Sequence, residues 1–82
     1  MKALKISVNE EAIGIVNIHK LFKIYGSIAY IICLDSQNYL LKYLDEIASE
    51  EAIEELNGSV YRDNSTGKEY ILDVHYHQVA SL

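Results

Sequence analysis

Few side chains in this sequence can do chemistry, and their spacing narrows what that chemistry is. Asp73, His75 and His77 stand two apart, so an extended strand would put all three on one face, a fragment of a metal site. No further ligand accompanies them, and no metal or other cofactor is expected. No serine or cysteine has a histidine partner, and the carboxylates crowded at Asp45, Glu46, Glu50, Glu51, Glu54 and Glu55 have no reason to be buried, so an enzyme is not expected. What remains is binding. The stretch "SQNYLLKY" alternates Tyr39, Leu41 and Tyr43 with Asn38, Leu40 and Lys42. A strand here would turn the first set inward and leave the second on an open surface, where Lys42, with Lys5, could reach phosphates.

The elements that must position these residues fit one compact domain, expected to span residues 1–82. The chain has 82 residues, half of them hydrophobic, and no proline. Its one cysteine, Cys33, cannot form an internal disulfide and reads as a small core residue in a reducing compartment. The longest apolar run, "SIAYIICL", is too short to span a bilayer, so a soluble protein is expected. The net charge of -5 argues against tight, nonspecific nucleic-acid binding. The acid, however, is concentrated where a helix is expected, while Lys2, Lys5 and Lys42 fall in expected strands.

"ALKISV" alternates as a half-buried strand does. Asn9 offers a cap, Glu10 and Glu11 suit a first turn, and apolar residues repeat at helical spacing up to Gly26, predicting a helix over 10–24. On it Ile15, Ile18, Phe22 and Tyr25 form the core stripe. Ile13, Val16 and Ile24 cluster on nearly the opposite side, where a partner protein could bind. "SIAYIICL" and "NYLLKYL" read as strands two and three. Asp45 caps a helix over 46–56 with Ala48, Ala52 and Leu56 inward, and "YILDVHY" is the last strand. The order β-α-β-β-α-β predicts an α+β, ferredoxin-like sandwich, a four-stranded antiparallel sheet with both helices on one face. Tyr39, Leu41, Tyr43, Leu4, Ile6, Ile15, Phe22, Leu56, Leu72 and Val74 should be mostly buried.

With "LFKIYGSI", "LLKYLD", "ASEEAIEELNG" and "LDVHY" at these spacings, the chain resembles an RNA-recognition motif. Within that family it is most similar to the second such motif of polypyrimidine tract-binding and hnRNP L-like proteins, through "LLKYLD", "LNGSVY" and the ending "LDVHYHQVASL". The resemblance implies a short fifth strand formed by "QVASL", and a domain that binds single-stranded, pyrimidine-rich RNA weakly through its sheet, within an mRNA-processing or splicing factor that is nuclear or shuttles between nucleus and cytoplasm. The family's stacking aromatics are replaced by Lys5, Asn38 and Leu40, as that subtype also lacks them. Its contact positions match Ile32, Leu34, Leu40, His77, Gln78, Val79, Ala80 and Ser81, with Lys5, Asn38, Lys42 and His75 beside them. Tyr61 matches the tyrosine with which the subtype receives short leucine-rich peptides behind its helices. The alternative function is therefore a protein-interaction module that takes a short aliphatic peptide on its helical face through Ile13, Val16, Ile24 and Tyr61.

Overall fold

The computed structural model describes residues 2–78. Strand β1 (Leu4–Val8) leads through a loop into α1 (Ile15–Phe22), which tightens into a 3-10 turn (Lys23–Tyr25). Strands β2 (Ile28–Asp35) and β3 (Asn38–Tyr43) form a hairpin, α2 (Glu46–Leu56) follows, and a second hairpin joins β4 (Val60–Arg62) to β5 (Glu69–Tyr76). The sheet runs β2-β3-β1-β5-β4, with every neighbouring pair antiparallel. This is the expected α+β ferredoxin-like sandwich.

Alternation decides which side of the sheet is core. In β1, Leu4, Ile6 and Val8 are buried, and in β3 Tyr39, Leu41 and Tyr43 are buried while Asn38, Leu40 and Lys42 are not. Register ties the two rows together, since Leu41 lies opposite Leu4 and Tyr39 opposite Ile6. Val74 and Leu72 continue these rows on β5, and Ile18, Phe22, Ala48, Ala52 and Leu56 close over them from the helices. The Tyr43 hydroxyl donates to the Phe22 carbonyl at 2.5 Å, which satisfies a phenol buried at the junction of α1 and the sheet. Asp45 caps α2, accepting from the Ile47 N–H at 2.9 Å. Gly26 lets the chain turn against α2. A Cβ there would come within 2.7 Å of the Ala48 Cβ, so only glycine fits that approach.

Four expectations need correction. The first helix starts at Ile15, not near residue 10: Ala12 and Gly14 both have positive φ, at 72° and 82°, which no helix accommodates. Asn9 does not cap it, because its side-chain oxygen accepts from the Ile71 N–H at 2.7 Å and ties the loop to β5. That loop drives Ile13 into the core, 2% exposed, and leaves Ile15 43% exposed, so these two exchange their expected places. Cys33 is exposed, because edge strand β2 is only partly covered by the helices. The fifth strand within the described residues is β4, the hairpin partner of β5. The strand expected from "QVASL" falls mainly on residues 79–82, outside the described residues.

Candidate nucleic-acid interface

The face of the sheet away from the helices carries three rows of side chains, set by strand register. Ile32 lies opposite Leu40, Leu40 opposite Lys5, and Lys5 opposite His75, so one line crosses β2, β3, β1 and β5. Aliphatic groups fill one half of that line, and a lysine and an imidazole the other. At one side of it, Lys42 stands opposite Tyr30, and the His77 N–H donates to the Ala3 carbonyl at 2.8 Å, extending the β5 pairing past Tyr76. Lys5, His75, His77 and Gln78, with Tyr76, border a shallow depression at this end. Its lysine, imidazoles and amide offer hydrogen-bonding groups of the kind that meet phosphates and base edges.

The row on the other side is acidic. Asp35 lies opposite Asn38, Asn38 opposite Ser7, and Ser7 opposite Asp73. The Asn38 amide donates to both Asp35 carboxylate oxygens, at 2.9 and 3.0 Å, and its carbonyl accepts from the Ser7 hydroxyl at 2.7 Å. Asn38 is thus occupied by the turn that joins β2 to β3. The Gln37 backbone N–H, at 2.8 Å, and then the Asn38 amide hold the Asp35 carboxyl below its ordinary range, so it is ionised near neutrality. Asp73 lies 3.5 Å from the Nδ1 of His75. The open face is therefore electrostatically polar, with Lys5 and Lys42 toward one end and Asp35 and Asp73 at the other. A polyanion is steered to the first end and repelled from the second.

Of the sequence-predicted contacts, Lys5, Ile32, Leu40, Lys42 and His75 share this face, with His77 and Gln78 at its margin. Leu34 is exposed at the register irregularity between Cys33 and Asp35, with no residue opposite it on β3. Val79, Ala80 and Ser81 lie outside the described residues. Lys2 leaves the group: its Nζ sits 5.7 Å from the centre of the Tyr76 ring, beside a residue whose β1 partner is the buried Leu4. Sequence reasoning missed Asp35 and Ser7 as parts of this face, and took Asp73, placed on one face with His75 and His77, only as a fragment of a metal site. Ser7 follows Lys5 by two, so the strand period alone could have placed it there.

On the helical side the expected peptide surface comes apart. Val16 and Ile24 are 70% and 72% exposed, but Ile13 is in the core. The Tyr61 ring is half-buried against Tyr70, with centroids 6.4 Å apart, and its hydroxyl donates to the Asn17 side-chain oxygen at 3.0 Å. Val16 and the Tyr61 contact thus lie on different flanks of α1. Val16 borders β2, and Asn17 faces the β4 hairpin.

No family model matches the sequence, and no curated protein matches it significantly. Solved structures do. The RRM domain of S. pombe Puf1 is 19% identical with a TM-score of 0.77, the match covering 94% of this chain and 99% of that one. A Sex-lethal protein/RNA complex is 18% identical with a TM-score of 0.80, covering 98% of this chain and 48% of that one. The RNA recognition domains 1 and 2 of Sex-lethal from Drosophila melanogaster are 21% identical with a TM-score of 0.77, covering 96% and 51%. The chain therefore spans about half the length of either Sex-lethal chain. These likenesses, with the strand order and helix placement above, give the chain the fold of an RNA-recognition motif.

Proposed function

We propose that this domain binds single-stranded, pyrimidine-rich RNA weakly across its open sheet face, as part of a nuclear RNA-processing factor, with splicing one setting for it. The observation that carries the reading is the aligned row Ile32, Leu40, Lys5 and His75, flanked by Lys42 and His77, on the face opposite the helices. Bases would lie over Ile32 and Leu40, and Lys5 and Lys42 would hold the backbone. Pyrimidines suit a narrow platform that is aliphatic at Ile32 and Leu40, with the half-exposed Tyr30 ring beside Lys42 at its edge. Weak binding follows from Lys5, Asn38 and Leu40 standing where stacking rings would be, from the net charge of -5 and from the ionised Asp35 at the margin. Useful affinity then comes from linkage to further RNA-binding units.

Titrating labelled protein with short CU-rich and A-rich RNA at two salt concentrations tests this. The reading expects shifts in β1, β2 and β3 with CU-rich RNA, weaker at high salt. Silence of those strands at millimolar RNA would remove it. A second reading, a protein partner on the helical side, is favoured by the exposure of Val16 and Ile24. It is independent of the sheet and is tested by Val16→Asp, which should abolish such binding and leave RNA binding intact.

A further inference from the structure

The two edges of the sheet are built differently. β4, at one edge, has three residues, and its Arg62 lies opposite Glu69. Short length and charge are the usual protection of an exposed edge. β2, at the other edge, has eight residues, and no charged residue or proline occurs from Ile28 to Leu34. Its outward N–H and C=O groups have no partner within the sheet. Register against β3 is regular from Tyr30 to Cys33, with irregularities on either side, so the middle of the strand is presented in regular form.

Both faces of this edge are apolar. Tyr30 and Ile32 lie on the open face, opposite Lys42 and Leu40, and are half-exposed. Ile31 faces the helices, opposite the buried Leu41, and with Ile28 and the exposed Ile15 and Val16 it lines a groove between the edge and α1. Charge selects what can approach. All 12 aspartates and glutamates lie outside the stretch from Ala12 to Leu34, which supplies α1 and all of β2 but Asp35. Two copies of a chain with a net charge of -5 repel each other in most orientations, and least where these segments meet. Lys20, at the rim of the groove, has a stem long enough to keep its ammonium in water.

We infer that the β2 edge pairs with the β2 edge of a second copy of this chain, antiparallel about a two-fold axis at Ile31, joining two five-stranded sheets into one. Side-chain direction fixes the centre. A continuous sheet keeps both open faces on one side, so residues opposite each other stand an even number apart and the axis passes through a residue. With the axis at Ile31, Tyr30 of each copy lies opposite Ile32 of the other, an aromatic and β-branched pair made twice on the open face. An axis at Ile32 would instead oppose Tyr30 to Leu34, which stands within the irregularity. On the helix side the two Ile31 side chains meet, with Val16 of each α1 beside them. The two Asp35 carboxylates fall at opposite ends of the paired segment. A few residues of strand and one helix flank make a small interface, so the dissociation constant should be on the order of 10 to 100 μM. This pairing rests on the helical-side reading, to which Val16 belongs, and is independent of RNA binding.

Sedimentation equilibrium of the whole chain from about 10 μM to about 1 mM tests it, read beside 15N amide shifts over the same range. The mean mass should climb toward twice the monomer value, and the concentration-dependent shifts should centre on Tyr30–Cys33 and Val16. Tyr30→Glu sets a carboxylate opposite Lys42 of its own chain, so the fold should tolerate it, while the charged edge should weaken the dimer by about tenfold or more. Under mild oxidation, Ile31→Cys in a Cys33→Ser background should link two copies faster than Val60→Cys in the same background. A chain that stays monomeric at about 1 mM overturns the self-pairing and leaves the helical-side reading to its own test with Val16→Asp. A dimer whose shifts fall elsewhere, that Tyr30→Glu does not weaken, or that Val60→Cys links as fast, overturns the β2 assignment.

Discussion

Replacing Leu40 with tyrosine puts a flat ring at the middle of the open face, and the account predicts a gain in RNA affinity. The side chain at this position lies between Ile32 and Lys5, on the side of β3 opposite the buried Tyr39, Leu41 and Tyr43. A base stacked on an aromatic ring is worth about 1 to 3 kcal/mol. Leucine already offers the base an apolar contact, so the gain falls at the lower end, about 1 kcal/mol, or roughly a fivefold lower Kd. The fold should tolerate the change, because aromatic residues are favoured on half-exposed strands and the new ring has Ile32 and the Lys5 stem to lie against. Fluorescence anisotropy with a labelled CU-rich oligonucleotide at fixed salt measures it, with thermal melting as the check on folding. A destabilised protein cannot mimic a gain. An unchanged or higher Kd in a folded variant would mean that bases do not visit Leu40, and the sheet-platform argument would fall with it.

Further predictions concern charge and packing. Asp35→Asn keeps an oxygen for the Gln37 N–H but removes an ionised group from the acidic margin, so RNA should bind about twofold tighter at low salt, with the difference lost at high salt. Gly26→Ala forces a Cβ against Ala48 and should cost about 1 to 3 kcal/mol in urea unfolding; an unchanged midpoint would mean the turn and α2 are not in close contact. Tyr43→Phe removes the bond to the Phe22 carbonyl and should cost about 1 kcal/mol or more at neutral pH. Burial pushes the Tyr43 hydroxyl well above its unfolded value of 10.0, so its share of stability is full below about pH 10 and is lost as pH rises beyond that. Alkaline unfolding of Tyr43→Phe should therefore be shallower than that of the parent, and a parallel pH profile would contradict the assignment.

Much of the fold was legible because β1, β3 and β5 alternate cleanly and α2 has its cap, stripe and glycine stop in order. The errors trace to places where tertiary contacts outweigh local signals. Asn9, Glu10 and Glu11 look like a helix start, yet Asn9 is taken by Ile71 of β5, and the Gly14 N–H donates to the Tyr39 hydroxyl at 3.2 Å. Ile13 then plugs the core from a loop, where a helical wheel cannot place it. β4 escaped notice because three residues before a polar turn carry too little periodicity to count as a strand. On the candidate site, the open-face residues of β1 and β3 followed from period two alone. Asp35 did not, since it joins the acidic row only through the hairpin turn and its bonds to Asn38. Cys33 and Leu34 were misjudged or left unplaced because β2 is an edge strand with irregular register, so alternation there does not report burial.

The most direct test of the central claim is the amide shift map of the 15N-labelled domain titrated with a short CU-rich RNA. The account predicts that the largest changes fall on Lys5, Ile32, Leu40, Lys42, His75 and His77, fade toward Asp35 and Asp73, and leave α1 and α2 still. Changes centred on the helices, or none on β1 and β3 at millimolar RNA, would contradict it.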